Sequence, residues 1–186
     1  MRQIIDILIA FGLLVVMIIP MILVYIVIRI DSPGPGLFWS ERVGKNNINF
    51  MMPKFRTMHA GTASVATHLL DDPKKHLTRI GNILRKASID ELPQLYSILK
   101  GQMTFVGPRP ALFNQNDLIK LRTINNVQTL SPGVTGWAQI NGRDTISIEE
   151  KVNFDVEYLK RKSISFDLYI IVLTLLKVLK KEDVSH

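Results

Sequence analysis

The sequence contains no cysteine and few histidines, which removes several kinds of chemistry at the outset. Without cysteine there is no disulfide framework and no thiolate metal site, and the redox compartment is left undetermined. The four histidines show no ligand spacing, which indicates solvated surface positions. Also missing are a Walker A phosphate loop, a dinucleotide-binding fingerprint and a Gly-x-Ser-x-Gly nucleophile elbow. The chain therefore lacks the signatures of P-loop NTPases, dinucleotide enzymes and serine hydrolases.

Acidic residues are outnumbered by basic ones. The 23 Lys and Arg residues against 16 Asp and Glu give a net charge of +7 at pH 7. A basic chain favours acidic partners such as anionic lipid, nucleotide or nucleic acid. The basic residues are scattered and accompany no recognisable nucleic-acid-binding motif, so we expect no nucleic acid partner. With 186 residues, the chain most simply forms one domain.

One long uncharged apolar run, Ile7 to Ile28, lies near the amino terminus. As a straight helix it would measure about 33 Å, enough to cross the hydrocarbon core of a bilayer. No small-residue cleavage site follows, which argues against a cleaved signal peptide. Pro20 removes a backbone hydrogen bond near the middle. The run therefore predicts either a kinked transmembrane helix or a helix-break-helix that enters and leaves one leaflet.

The remaining sequence predicts an α+β fold that is mainly helical. We expect residues 1–30 to be membrane-embedded and 31–186 to form a cytoplasmic or interfacial domain. The Pro/Gly cluster Asp31–Gly36 ends the apolar segment, and residues 61–72 read as a mobile polar loop. The expected elements are a small β-hairpin over 37–43 and 48–58, and helices over 75–87, 90–99, 111–122, 147–161 and 166–179. The last helix is either amphipathic and interfacial, with lysines at its end, or part of the buried core.

Two adjacent carboxylates, Asp90 and Glu91, occupy an expected helix start. Pro93 lacks an amide hydrogen and is tolerated in the first helical turn, which favours Asp90 rather than Ser88 as the N-cap. The helix dipole would then stabilise an ionised Asp90, and an ionised carboxylate is a usable nucleophile. Glu91 could help hold Mg²⁺ against phosphate oxygens. The alternative from this motif alone is ordinary helix capping.

Several basic side chains lie on or near Pro- and Gly-flanked loops. Arg109 is fixed between two prolines in Gly107–Pro110, so its guanidinium is held stiffly for bidentate phosphate contacts. Arg143 follows an Asn-Gly turn, and Lys54 and Arg56 add further positive charge. Individually each segment is more often a structural turn than a site, but together they predict a site for anions.

Six stretches occur in one order along nearly the whole chain. Together they resemble the small monotopic polyprenyl-phosphate phosphoglycosyl transferases, the bacterial sugar transferase family. One departure is that the family often has Ser-Pro at the membrane-helix break, whereas this chain has Ile19-Pro20. The matching stretches are DSPGPG (31–36), ERVGK (41–45), KFRTM (54–58), DELPQL (90–95), KGQMTFVGPRP (100–110) and SPGVTGWAQINGR (131–143).

The resemblance implies a re-entrant helix broken at Pro20 and an active site at the cytoplasmic face of the bacterial inner membrane. It implies that Asp90 attacks the sugar-bearing phosphate of a UDP-sugar and releases UMP. Undecaprenyl phosphate would then attack the phospho-sugar intermediate and give undecaprenyl-diphosphate-sugar, the first membrane step of glycoconjugate assembly. Mg²⁺ would be held by Asp90 and Glu91. The implied substrate-binding residues are Lys54, Arg56, Arg109, Gln139 and Arg143.

Finer points and alternatives follow from the same resemblance. The donor is expected to carry an acetamido-sugar, and the oligomeric state is left open. One alternative function is a non-catalytic membrane-surface scaffold that binds anionic lipid and organises glycan enzymes. Another is direct transfer, with Asp90 acting as a base and no covalent intermediate.

Overall fold

The computed structural model describes residues 2–62, 72–142 and 146–180. Within these ranges the chain is predominantly helical and contains two small two-stranded sheets, which confirms the mainly helical α+β prediction. Most of the loop expected over 61–72 lies outside the described residues.

The apolar run forms helix α1, Arg2–Asp31. The helix is continuous and contains Pro20, so the predicted helix break is not observed. A proline interrupts one hydrogen bond of the ladder, and the other bonds of this long helix keep the flanking turns together. Among the described residues, α1 is the one helix long and apolar enough to cross a bilayer. A re-entrant path in a membrane stays a prediction.

Both ends of α1 contact the same globular part of the chain. Arg2 near its start forms an ion pair with Asp167. At its end, a carboxylate oxygen of Asp31 accepts a hydrogen bond from the backbone N–H of Ile80, at 3.2 Å. Between the ends, Ala10 is fully buried against the core. The helix therefore packs along the rest of the protein, and the two flanks of the apolar run lie on one body.

The predicted hairpin is confirmed as strands β1, Leu37–Val43, and β2, Asn49–Phe55. The strands are antiparallel, with Leu37 opposite Phe55 and Val43 opposite Asn49. A short 3₁₀ helix, Lys45–Asn47, joins them, and its two asparagines have positive φ angles of 55° and 60°. Asparagine adopts this left-handed conformation more readily than most residues, which explains why the turn forms here.

The helices expected after the hairpin are present with shifted bounds. The helix expected over 75–87 is divided in two, because Leu77 pairs with Met58 in an isolated β-bridge. Ser147 and Glu150 form a reciprocal capping box at the start of the helix that ends at Arg161. The bounds are α2 Pro73–His76, α3 Arg79–Lys86, α4 Leu95–Leu99, α5 Asn116–Ile124, α6 Trp137–Ile140, α7 Ile148–Arg161 and α8 Ile164–Lys180.

A second, parallel pair of strands was not predicted: β3, Thr104–Val106, and β4, Gly133–Thr135. The two segments approach closely at their glycines. A Cβ on Gly133 would collide with the backbone of Gly107, and one on Gly136 would collide with the carbonyl of Gly107. Only glycine leaves room for this approach, so it joins the loop after β3 to the loop after β4.

Candidate active site

The carboxylate pair lies in a 3₁₀ helix, Ile89–Gln94, that leads directly into α4. The prediction of Asp90 as an N-cap is wrong, because Ser88 precedes the helix and Asp90 is its second residue. Ser88 has a positive φ of 54° and makes no side-chain capping bond, so the Ser-x-x-Glu capping box is absent as well. The left-handed residue reverses the chain between α3 and the 3₁₀ helix, which brings Asp90 into the protein.

Asp90 is a desolvated carboxylate. The residue is 7% exposed and lies in the charge field of Lys54, Glu91, Arg85 and Arg109. Burial raises the pKa of Asp90 above its ordinary value, while the positive charge of Lys54 opposes that rise. We predicted that the helix terminus would favour the ionised form of Asp90. In the structure, burial is the largest effect and disfavours that form.

Glu91 is held by two cations. Its Oε1 lies 2.9 Å from the Lys54 ammonium and 3.0 Å from a guanidinium nitrogen of Arg109. Burial lowers the pKa of Lys54, and the carboxylate of Glu91 counteracts that effect. The three side chains come from β2, the 3₁₀ helix and the loop after β3. The structure thus brings together Asp90, Glu91, Lys54 and Arg109, and their roles in binding and catalysis stay predictions.

The loop that carries Arg109 is anchored on several sides. The N–H of Gly133 donates to the carbonyl of Pro108 at 2.9 Å, and Arg42 donates to the carbonyl of Pro110 at 3.2 Å. Arg122 of α5 donates to the carbonyl of Arg109 itself, at 2.8 Å. Because the backbone on both sides of Arg109 is fixed, the side chain of Arg109 extends from a defined position on the backbone.

Arg122 is in turn held by Asp155 of α7. Its Nε and Nη2 both donate to Asp155 Oδ2, at 2.9 and 2.7 Å, and both residues are buried. Burial raises the pKa of Asp155, and Arg122 counteracts that rise. A contiguous path of contacts therefore runs from α7 through Arg122 and Arg109 to Glu91.

The other predicted site residues are placed differently. Arg56 is buried and donates to the carbonyl oxygen and the hydroxyl of Ser32, at 2.7 and 2.9 Å, so it ties β2 to the end of α1. Gln139 donates to the carbonyl of Val134 at 2.8 Å and lines a cavity that Glu91 also lines. Arg143 lies outside the described residues. The substrate contacts of these three residues stay predictions.

Sequence reasoning missed one further cation near Asp90. Arg85, in the last turn of α3, lowers the pKa of Asp90 through its positive charge. Its Nε donates to the hydroxyl of Thr57 at 3.0 Å. The available signal was its position five residues before Asp90, but the proximity depends on the left-handed turn at Ser88.

A cavity of about 320 Å³ is lined by Glu91, the sequence neighbour of Asp90. It extends from Ser88 and Glu91 to α8, and Gln139 lies on its wall. This volume falls within the range of about 300–1,000 Å³ that is typical of small-molecule sites. A desolvated carboxylate, an ion-paired neighbour and an adjoining cavity together form the candidate active site.

The residues present fit Mg²⁺ only in combination with substrate. Among the described residues no group of three carboxylate or imidazole side chains could hold a metal by itself. Asp90 and Glu91 supply two carboxylates, and Mg²⁺ is commonly held by one or two carboxylates together with phosphate oxygens. One oxygen of Glu91 already contacts two cations. A metal here would therefore need phosphate oxygens from the substrate.

Comparison with known proteins places this site in a family. The model of the family described as bacterial sugar transferase matches residues 1–181. The chain belongs to that family, which confirms the resemblance found in the sequence.

Several curated relatives are similar to this chain, and some of their names state a reaction. The chain is 42% identical over 162 residues to the uncharacterized sugar transferase EpsL of Bacillus subtilis (strain 168), covering 86% of this chain and 78% of the relative. It is 38% identical to the UDP-glucose:undecaprenyl-phosphate glucose-1-phosphate transferase of Escherichia coli (strain K12), covering 81% and 34%. It is 34% identical to the UDP-N-acetylgalactosamine-undecaprenyl-phosphate N-acetylgalactosaminephosphotransferase of Aeromonas hydrophila, covering 83% and 38%. The chain thus corresponds to little more than a third of the last two relatives.

Proposed function

We propose that this protein transfers a phospho-sugar from a UDP-sugar to undecaprenyl phosphate, giving undecaprenyl-diphosphate-sugar and UMP. Family membership and the names of the E. coli and A. hydrophila relatives support the reaction class. The observation that carries the proposal is the buried carboxylate of Asp90 and its neighbour Glu91. Lys54 and Arg109 both contact the carboxylate of Glu91 directly. A scaffold that only binds lipid has no need for a desolvated carboxylate beside three cations.

In the first step, a carboxylate oxygen of Asp90 forms a bond to the sugar-bearing phosphorus. The bond from that phosphorus to the oxygen that bridges the two phosphates breaks, and UMP leaves with that oxygen and the electron pair. Lys54, Arg85 and Arg109 act on Asp90 through their charges and would offset the negative charge that accumulates at the phosphoryl group. The product is an acyl phosphate on Asp90 that carries the sugar.

In the second step, an oxygen of the undecaprenyl phosphate attacks the same phosphorus. The bond between that phosphorus and the Asp90 oxygen breaks, and the carboxylate is restored. A dianionic acceptor needs no proton transfer in this step. The role of Glu91 is to keep Lys54 and Arg109 beside the reacting phosphate, since both contact its Oε1. Direct transfer without the covalent intermediate is the mechanism to be tested against this one.

Mg²⁺ is proposed as the cofactor, held by Asp90 and Glu91 together with phosphate oxygens. When bound, it would neutralise phosphate charge and orient the diphosphate. Its presence would also favour the ionised form of Asp90, which burial disfavours.

The proposed location is the cytoplasmic face of the bacterial inner membrane. The apolar helix α1 and the net charge of +7 favour a membrane-bound protein whose basic part stays on the cytoplasmic side. An acetamido-sugar donor is supported by the name of the A. hydrophila relative alone, whereas the E. coli relative is named for glucose. The sugar is therefore tested with a panel.

The test is release of UMP by the protein in nanodiscs, with undecaprenyl phosphate, Mg²⁺ and a panel of glucose, galactose, acetamido- and diacetamido-sugar donors. We expect multiple-turnover release that depends on the lipid with one donor, and its loss in Asp90→Asn. Glu150→Gln, at the exposed capping box of α7, serves as the control. Full activity in Asp90→Asn, or silence across the whole panel, would contradict the proposal.

A further inference from the structure

The cavity that Glu91 lines has a mainly apolar wall. Its lining includes Leu13 and Met17 of α1 together with Leu92, Leu95 and Phe105. Such a lining gains free energy by burying hydrocarbon, at about 25 cal/mol per Å² of apolar surface. A sugar, whose hydroxyl groups need partners, would find few along this wall.

Several polar groups of the wall are bonded within the protein, whereas the buried Oε1 of Gln139 has no hydrogen-bond partner among the described residues. The hydroxyls of Thr135 and Thr174 hydrogen-bond each other at 2.8 Å, and Thr174 also donates to the carbonyl of Ile170. The amide nitrogen of Gln139 donates to the carbonyl of Val134. Charge is confined to Glu91 and Lys177, and Lys177 is the one cation among the described lining residues. The cavity therefore combines a hydrocarbon-like wall with one carboxylate and one ammonium.

The two longest helices among the described residues, α1 and α8, both contribute to the lining of the cavity and are both rich in apolar residues. Both helices also expose apolar side chains on their outer surfaces, such as Val16 (66% exposed) and Leu175 (58% exposed). A ligand with a long apolar chain could therefore extend from the cavity along these faces into a lipid phase.

We infer that this cavity binds the prenyl chain of the lipid acceptor, at the isoprene units next to its phosphate. The identity of the acceptor rests on the proposed function. The position of its prenyl chain rests on the cavity itself. The chain lies between Leu13 and Met17 of α1 and the wall formed by Leu92, Leu95 and Phe105. The phosphate end lies toward Glu91, where it can reach the sugar-bearing phosphorus, and Lys177 adds attraction for an anionic headgroup.

The first experiment is photo-crosslinking, which needs no sugar donor. A prenyl phosphate with a photoreactive group in its first isoprene units is added to the protein in nanodiscs, and the labelled peptides are identified by mass spectrometry. We expect labelling within 13–17 and 174–178, with loss of labelling in Met17→Trp, which fills the cavity. Undecaprenyl phosphate should compete, whereas phosphatidylglycerol and inorganic phosphate should not. Equal competition by phosphatidylglycerol, or labelling only elsewhere, would overturn the inference.

The matched control is Val16→Trp, which adds the same bulk one residue away on the exposed face of α1. Labelling should survive in Val16→Trp, and equal loss in both variants would indicate damage to α1 rather than a filled cavity.

The second experiment is kinetic and uses the donor that supports UMP release. Met17→Trp should raise the KM for undecaprenyl phosphate about tenfold or more, and leave the KM for the UDP-sugar near the wild-type value. Parallel changes in both KM values would overturn the inference. Absence of UMP release in the wild type would count against the proposed function, while the crosslinking result would still decide the cavity.

Discussion

Two buried aspartates of this protein, Asp90 and Asp155, differ in what their surroundings supply. Burial raises the pKa of both. Asp155 receives two hydrogen bonds from Arg122 at 2.7 and 2.9 Å. Asp90 lies near the charges of Lys54, Arg85 and Arg109, and its neighbour Glu91 lines a cavity. A buried carboxylate that one arginine fixes by two hydrogen bonds supports the fold, and a buried carboxylate beside several cations and a cavity is suited to chemistry.

The largest difference between the two residues is expected in turnover. Asp90→Asn removes the nucleophile, so UMP release should fall by about 10⁴-fold or more, as in other enzymes that lose their nucleophile. Steady-state UMP release in nanodiscs measures this loss. Retention of more than a tenth of the wild-type rate would show that Asp90 is not the nucleophile.

Asp155→Asn is expected to act mainly on stability. It leaves the buried guanidinium of Arg122 without its counter-charge, which in other proteins costs about 3–5 kcal/mol. Denaturant unfolding in detergent, followed by circular dichroism, measures the change. A loss of activity at unchanged stability would contradict this structural role. It would indicate that Asp155, like Asp90, takes part in the reaction.

Arg109 lies on the path of contacts from Asp155 to Glu91, and its removal is expected to affect the reaction. Arg109→Gln should lower kcat by about 10²-fold, the usual loss for one donor to a transition state. Arg109→Lys should recover part of the rate, because it restores the charge without the planar fork. A raised KM for the donor at unchanged kcat would contradict this prediction. It would mean that Arg109 binds the substrate as strongly in the ground state as in the transition state.

The smallest expected effect is a gain of stability in Asp90→Asn. A raised pKa in the folded state means that the stability contributed by the Asp90 carboxyl is fully present below its unfolded pKa and is lost as the pH rises through its folded pKa. At pH 7.5 in EDTA, Asp90→Asn should therefore have a higher melting temperature than the wild type, and the difference should vanish near pH 3.5.

The control for that gain is Asp117→Asn, in the first turn of α5. There the acidic side chain complements the helix dipole, so its removal should cost about 0.3–1 kcal/mol. Equal shifts of one sign in both variants would contradict the claim that Asp90 is destabilised by burial.

The sequence predicted the main elements where the local signals were strong. The hairpin, α7 and α8 follow from alternation, capping residues and apolar periodicity, which are short-range properties. The pair β3–β4 was missed because each strand has three residues and the partners are far apart in sequence. At Pro20 the sequence left a kinked helix and a helix-break-helix open, and the structure has one continuous helix there.

The candidate site was predicted in composition but not in detail. Asp90, Glu91, Lys54 and Arg109 were identified from ordered motifs, and the structure brings them together. The N-cap assignment of Asp90 failed because the left-handed conformation of Ser88 starts a 3₁₀ helix, a choice that depends on tertiary packing. Arg56 resembled a phosphate ligand in sequence, and only the structure reveals that its Nη2 donates to Ser32 and its Nη1 to Pro33, just after α1.

The most direct test of the account is to look for the intermediate itself. The protein is mixed with the active UDP-sugar and Mg²⁺ without lipid acceptor, then quenched in acid and digested. The account predicts a stoichiometric burst of UMP and a phospho-sugar adduct on the peptide that contains Asp90, which disappears when undecaprenyl phosphate is added. UMP release only after addition of the lipid, with no adduct at Asp90, would contradict the covalent mechanism and establish direct transfer.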